Sequence, residues 1–269
     1  MLIDTHCHLS MMIKKDFNVP LSDEQYKQVQ MEVDKAKQNG VEIIINVGTN
    51  FHENIEAIEI ASRIKNVYTS IGIHPNDCTN KWQEDLKKLI PLLKNKEKNK
   101  IVAIGETGID KHRSGYNLQR QKEAFKTQIE LALEYNLALI VHTRDAYDET
   151  INCLDEYKNE ISRGVIHCYF YDQSFADHVI DQGFVLGLGG PLTYPKNEFL
   201  REIFTKIPLE KIVLETDAPF LPPQQIRGQQ NHPREIKAIA EFLANLRNIS
   251  FEEVARITSK NARKLFEII

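Results

Sequence analysis

The sequence has little of what marks a secreted, membrane-bound or multidomain chain. Only four of its 269 residues are cysteine (Cys7, Cys78, Cys153 and Cys168), and none forms a C-x-x-C pair, so free thiols are expected rather than a disulfide framework. No stretch approaches the run of about twenty apolar residues that spans a bilayer, so no membrane association is expected. The N-terminus has no basic segment followed by an apolar core, so no signal peptide is predicted and the expected location is cytoplasmic. There is no internal repeat, low-complexity tract or Gly/Ser linker, and residues 1–269 read as one domain. The net charge of −4 gives no global pull toward nucleic acid, so an anionic substrate would have to be attracted locally. Nothing in the sequence indicates an obligate protein partner.

What the chain does have is an alternation. Short β-branched runs are each followed by a charged amphipathic stretch. The strand candidates are LIDTHCHL, VEIIINVG, VYTSIGIHP, IVAIGETGID, LALIVHT, GVIHCYF, FVLGLGG and IVLETDAPF. Gly40 in QNG and Gly183 in DQG stand at helix ends, where a left-handed C-cap is required, and Asn66 and Asn136 stand in the equivalent place. After the eighth strand two closing helices are predicted, the last with Ser250 and Glu253 as a capping box. Eight strand–helix units in strict order predict an α/β fold, a (β/α)8 TIM barrel with an extra C-terminal helix, in preference to a doubly wound open sheet.

In such a barrel the chemistry sits at the C-terminal ends of the strands. Those ends carry Asp4, His6 and His8, then His74, then Glu106 and Asp110, then His142 and Arg144, then His167, and finally Glu215 and Asp217. Each alone has an ordinary reading: a lone His at a strand end usually packs, and His-x-His shows only that two side chains share a face. Convergence changes the balance. Imidazoles and carboxylates crowded at one mouth would be costly to bury unpaired, and a bound cation removes that cost. Other features are assigned no chemistry. The KNKEKNK run is expected to be a solvated loop, Trp82 to pack a helix, and His52, His178 and Cys168 have no motif context.

The motifs DTHCHL, GIHP, GETGID, VHTR, IHCYF and ETDAPFL, followed by RG and NHP, resemble in order those of the TatD family of metal-dependent deoxyribonucleases, within the amidohydrolase-like barrels. The resemblance implies two divalent cations. It implies His6, His8 and Asp217 as ligands of the first, His142 and His167 as ligands of the second, and Glu106 as the carboxylate shared between them. Many related barrels use a carbamylated lysine where Glu106 stands. Asp4 is expected to orient a ligand imidazole from behind. The sequence departs from the family pattern at Phe220, at His232 and in the absence of Ser-Pro after the acidic turn, all in loops expected to face substrate.

The expected chemistry is attack on a phosphodiester of DNA, single-stranded or at an end, by a hydroxide bridging the two ions, in an exonuclease-type reaction. The ions bring about +4; Glu106, Asp217 and hydroxide return about −3, leaving a local site of roughly +1 for a phosphate. Asp217 is expected to serve as acid/base partner, with Glu106 and His74 in the catalytic set, and Arg144, Arg227 and Asn231 as substrate contacts. The mixed nitrogen and oxygen ligands suit zinc, manganese or nickel; magnesium is associated with the family. Two other functions fit the same residues: hydrolysis of a small ester, lactone or aminoacyl substrate at the same site, and non-catalytic nucleic-acid binding with structural metals. The second needs a basic face that this acidic chain does not display.

Overall fold

The computed structural model describes residues 1–14 and 19–269. Eight parallel strands form one sheet in sequence order. They are β1 Leu2–Cys7, β2 Val41–Val47, β3 Val67–Ile71, β4 Ile101–Asp110, β5 Ala138–Arg144, β6 Gly164–Ile166, β7 Val185–Leu188 and β8 Ile212–Leu214. The helices are α1 Leu9–Ile13, α2 Asp23–Gln38, α3 Phe51–Arg63, α4 Trp82–Leu93 and α5 Leu118–Glu134. After them come α6 Tyr147–Asp155, α7 Gln173–Asp181, α8 Glu198–Lys206, α9 Ile236–Arg247 and α10 Phe251–Phe266. The architecture is the (β/α)8 barrel with an additional C-terminal helix, and it matches the expected strand order. Among the described residues no helix is long and apolar enough to cross a membrane.

Two apolar layers hold it. Ile3, Ile43, Ile45, Val47, Ile140, Val165 and Val213 fill the barrel interior, and Leu265, Phe266 and Ile268 at the end of α10 pack onto the same cluster. A larger layer between strands and helices takes the alternate residues, such as Leu2, Ile44, Val67 and Ile166, with Trp82 among them. Period-two burial on both faces is what a parallel sheet wrapped in helices demands. In β1 the alternation is broken. Ile3 joins the interior cluster and Cys7 the outer one, and the register with β2 shifts between Asp4 and Cys7. An irregularity of this kind re-aims side chains near a barrel rim.

The ring closes at the seam between β1 and the residues following β8. Asp217 N donates to His6 O (2.9 Å) and His8 N donates to Ala218 O (2.8 Å). Asp4 is part of this seam. Its Oδ1 accepts from Thr216 N (2.9 Å) and its Oδ2 from Thr216 Oγ1 (2.6 Å), while its only tie to His6 is the backbone N–H at 3.3 Å. Asp4 therefore orients the barrel closure and not an imidazole ring, which corrects the role expected of it.

The helix ends follow the sequence except at Asn66 and at the start of α10, where Ser250 Oγ accepts from Glu253 N (3.1 Å) without the return bond that would complete the expected capping box. Gly40, Gly183 and Asn136 have positive φ, as left-handed caps require. Asn66 does not serve as one; α3 closes on Ile64, which is extended. Its terminal carbonyls are met instead by the ammonium of Lys100, which donates to Ala61 O, Ile64 O and Lys65 O at 2.7–3.1 Å. Lys96 likewise donates to Tyr135 O (2.8 Å). Part of the KNKEKNK run is thus a pair of helix-terminus ties, favoured by the negative end of the helix dipole, rather than a merely solvated loop.

Three buried amides extend the sheet where its ladder stops. β3 ends at Ile71, three residues short of His74. Asn54 of α3 donates to Gly72 O (2.7 Å) and accepts from Gly72 N (3.1 Å). Gln128 of α5 accepts from Ile73 N (2.7 Å) and donates to Ile73 O (3.1 Å). Gln121 of α5 accepts from Asp110 N (3.1 Å) and donates to Asp110 O (3.0 Å). Each side chain imitates a neighbouring peptide, so the segments that carry His74 and Asp110 leave the sheet without orphaned backbone groups. Replacing Gln128 by Leu leaves two buried backbone groups of Ile73 unpaired. The variant is expected to lose about 1–3 kcal/mol in urea unfolding, and an unchanged midpoint would contradict this role for the amide.

Candidate active site

The C-terminal ends of the strands meet at one mouth, where a cavity of ≈760 Å³ opens. Its walls include His8, His74, Glu106, Asp110, His142, Arg144, His167, Asp217 and Arg227. The candidate donor atoms fall into two groups around one carboxylate. On one side, His6 Nε2 and His8 Nε2 lie 3.1 Å apart. Glu106 Oε2 is 3.3 Å from His6 Nε2, and Asp217 Oδ1 is 3.5 Å from His8 Nε2. On the other side, Glu106 Oε1 is 2.7 Å from His142 Nδ1 and 3.8 Å from His167 Nε2. Donor atoms held about 2.1 Å from one tetrahedral ion lie roughly 3.4 Å from each other. The spacing around Oε2 of Glu106 has that size, and the donor set of imidazole nitrogens and carboxylate oxygens suits a divalent transition metal. Among the described residues, His6, His8 and Glu106 form one of the groupings close enough to hold an ion.

The rings of His8, His74 and His142 are each held by a hydrogen bond at the other nitrogen. His8 Nδ1 donates to Val47 O (2.8 Å), which leaves Nε2 as the nitrogen with a lone pair facing the cluster. His167 Nδ1 lies 3.0 Å from Glu215 Oε1, and its ring stacks on His6 with centroids 3.5 Å apart. His142 Nε2 is bonded to Asp110 Oδ2 (3.1 Å). His74 Nδ1 accepts from Asn76 N (3.0 Å), so its Nε2 carries the proton, 3.7 Å from Glu106 Oε1. The buried Nδ1 of His6 has no hydrogen-bond partner among the described residues, and that of His167 has only the ion-pair proximity of Glu215.

The charges explain how such a cluster survives burial. Desolvation alone would raise the Glu106 carboxyl, but the imidazoles crowded around it, with the hydrogen bond from His142, hold it well below its usual range. Asp217 follows the same pattern: burial pushes it up, and the bond from His8 with the fields of His167 and His6 outweighs that push. His167 is driven the other way. Burial opposes its charged form, yet Glu215, Glu106 and Asp217 raise it to about 10. For His74 the balance falls the other way: burial and the neighbouring His142 outweigh the fields of Glu106 and Asp110 and lower it to about 3, so it is a neutral ring. With no cation, protons on the imidazoles balance the carboxylates, which is the arrangement a metal ion replaces.

Backbone geometry makes room for these side chains. Gly187 leaves the space that Glu215 fills; a Cβ there would lie 2.4 Å from Glu215 Oε2. Gly108 has φ +144, and a Cβ there would collide with the carbonyl oxygen of His142. The β4–β5 pairing that presents His142 beside Glu106 therefore needs glycine at this position.

The structure brings His6, His8, Glu106, His142, His167 and Asp217 together, with His74 at their edge. Arg144 and Arg227 are exposed at the rim, and the Arg227 guanidinium lies 4.0 Å from the Tyr194 ring centre. Asn231 is not on the cavity wall. It is fully buried, and its amide donates to Thr216 O and Phe220 O (both 2.7 Å), tying down the loop after β8. This buried position corrects the expectation that it touches substrate. Asp110, Asn76 and Glu215 were given no role from sequence. For Glu215 the signal was present: it stands two residues before Asp217, the same period that groups His6 with His8.

Comparison with known proteins agrees with this geometry. The profile of the TatD related DNase family matches residues 3–267. YabD of Bacillus subtilis, described as a metal-dependent hydrolase, is 36% identical over the whole of both chains. The 3'-5' ssDNA/RNA exonuclease TatD of Salmonella typhimurium is 30% identical, covering 94% of this chain and 99% of its own. The crystal structure of YjjV, a TatD homologue from Escherichia coli, superposes with a TM-score of 0.89 at 27% identity, covering 100% of this chain and 98% of its own. With its barrel, its histidine-carboxylate mouth and these relatives, the chain belongs to the TatD-related DNase family of metal-dependent hydrolases.

Proposed function

We propose that this chain is a phosphodiesterase that trims single-stranded DNA from an end, with two divalent cations held on either side of Glu106. The observation that carries the reading is the division of labour in that carboxylate: Oε2 faces His6 and His8, which Asp217 also approaches, and Oε1 faces His142 and His167. His6, His8 and Asp217 would hold one cation, His142 and His167 the other, with Glu106 shared. Two such cations supply Lewis acidity that lowers the pKa of an attacking water and neutralise charge on the phosphate. Manganese, zinc or nickel fits the imidazole-rich donor set better than magnesium, which favours oxygen ligands and retains water.

The protein groups then have distinct tasks. Asp217 is ionised and at the cavity wall, so its carboxylate accepts the proton of the water. His74 is a neutral imidazole whose Nε2–H faces the site, so it donates a hydrogen bond to a phosphate oxygen as charge develops there. The rim matches a nucleic-acid end. Arg113, Arg144, Lys196 and Arg227 are exposed around the mouth, a local concentration of positive charge on a chain with net charge −4. Phe170 and Phe220 are also exposed there, at 47% and 50%. Cations for the backbone and aromatic faces for unpaired bases are what single-stranded recognition requires. The name of the Salmonella relative points to the 3' end as the one removed.

Two outcomes test this reading. Glu106→Ala removes the shared carboxylate. The variant is expected to fold, to bind less than half the metal of the parent by elemental analysis, and to lose at least 100-fold in activity on end-labelled single-stranded DNA. Full metal content with full activity would contradict it. Cation binding to the native state also stabilises it, by about 2.7 kcal/mol when the free ion is 100-fold above its dissociation constant. Manganese is therefore expected to raise the melting temperature of the parent and EDTA to reverse the rise, with most of the shift absent in Glu106→Ala.

A further inference from the structure

We propose that Asp110 is the positioning residue of the second cation site, acting through His142; the inference rests on the two-cation reading above. Asp110 ends β4, four residues beyond Glu106, and its side chain is almost fully buried. Its two oxygens accept three N–H groups. Oδ1 takes the backbone N–H of His112 (2.8 Å), and Oδ2 takes Asn76 Nδ2 (3.0 Å) and His142 Nε2 (3.1 Å). Its own backbone is clamped on both sides by Gln121. The carboxylate therefore has one orientation, and it dictates which nitrogen of His142 is committed. With Nε2 occupied by Asp110, it is Nδ1 that faces Glu106 Oε1 and the cavity. His142 is thus predicted to bind its cation through Nδ1. A carboxylate behind a ligand imidazole fixes the ring and raises its basicity, and loss of such a partner commonly weakens metal binding 10–100-fold.

Asn76 couples this device to His74. Its side chain holds Asp110, and its backbone N–H holds His74 Nδ1. The two rings pack edge to face with centroids 4.5 Å apart. One residue thus sets two imidazoles that approach Glu106 Oε1 from different directions. His74, Asp110 and His142 are also close enough together to suggest a cation of their own. The hydrogen bonds argue against it. His74 accepts at Nδ1 and so carries a proton on Nε2, and the His142 nitrogen in that group is the one donating to Asp110.

The test is a manganese titration of the metal-free protein, followed by calorimetry and electron paramagnetic resonance. The parent is expected to bind two ions and to show a spin-coupled signal. Asp110→Ala is expected to keep the affinity for the first ion and to weaken the second 10–100-fold, leaving an uncoupled signal at two equivalents. Asp110→Asn has one acceptor oxygen in place of two and is expected to fall between them. Asn76→Ala, which keeps the carboxylate, guards against a folding defect and is expected to weaken the second ion in the same direction by a smaller factor. Equal binding of both ions by the parent and Asp110→Ala would overturn the proposal. So would equal loss of both ions in a folded variant, or three ions in the parent. A parent that binds fewer than two ions would overturn the two-cation reading itself.

Discussion

The architecture of this site depends on one electrostatic constraint: the Glu106 carboxylate is buried with the imidazoles of His6, His8, His74, His142 and His167 against it. A carboxylate in that position is tolerated only if positive charge lies on both of its oxygens. In the metal-free structure the His142 and His167 rings face Oε1 and the His6 and His8 rings face Oε2; under the two-cation proposal, divalent ions would take over the balancing of this charge. The remaining features serve that exchange. Asp110 and the Val47 carbonyl each hold the outer nitrogen of one ring and Glu215 pairs electrostatically with that of His167, so that the inner nitrogens converge without a search through rotamers. The fixed shell is what separates a metal site from a cluster of mutually repelling groups.

A barrel suits the task because its strands bring distant residues to one rim. His6 and Asp217 are separated by most of the chain, yet they lie beside each other because the Asp217 N–H bonds the His6 carbonyl across the closing seam. Asp4 and Thr216 fasten that seam beside His6 and Asp217. The same bonds therefore close the fold and set the spacing of the first donor group. The buried amides of Asn54, Gln121 and Gln128 do the equivalent work for His74 and Asp110, which project beyond or at the end of their strands.

Much of this was legible in the sequence, and for physical reasons. The strand order follows from β-branched runs alternating with amphipathic stretches. The six converging residues follow from chemistry-bearing side chains placed at strand ends, reinforced by motifs in family order. The residues that were missed act by relation rather than by type. Nothing in the local pattern around Gln128 distinguishes it from a surface glutamine on an amphipathic helix. Asp110 could not be given a partner until β4 and β5 were paired. Asp4 was misread because period two places it on the face of His6 and His8, whereas the register shift in β1 turns its carboxylate to Thr216. Asn231 looked like a loop residue facing substrate, and only its burial shows it to be a staple within that loop.

The central claim is that Glu106 lies between two cations, each with its own donor group. Anomalous diffraction from manganese-soaked crystals tests it most directly. The account predicts two peaks flanking the Glu106 carboxylate, one beside His6, His8 and Asp217 and the other beside His142 and His167. A single peak, or a pair that leaves Glu106 uncoordinated, would contradict it.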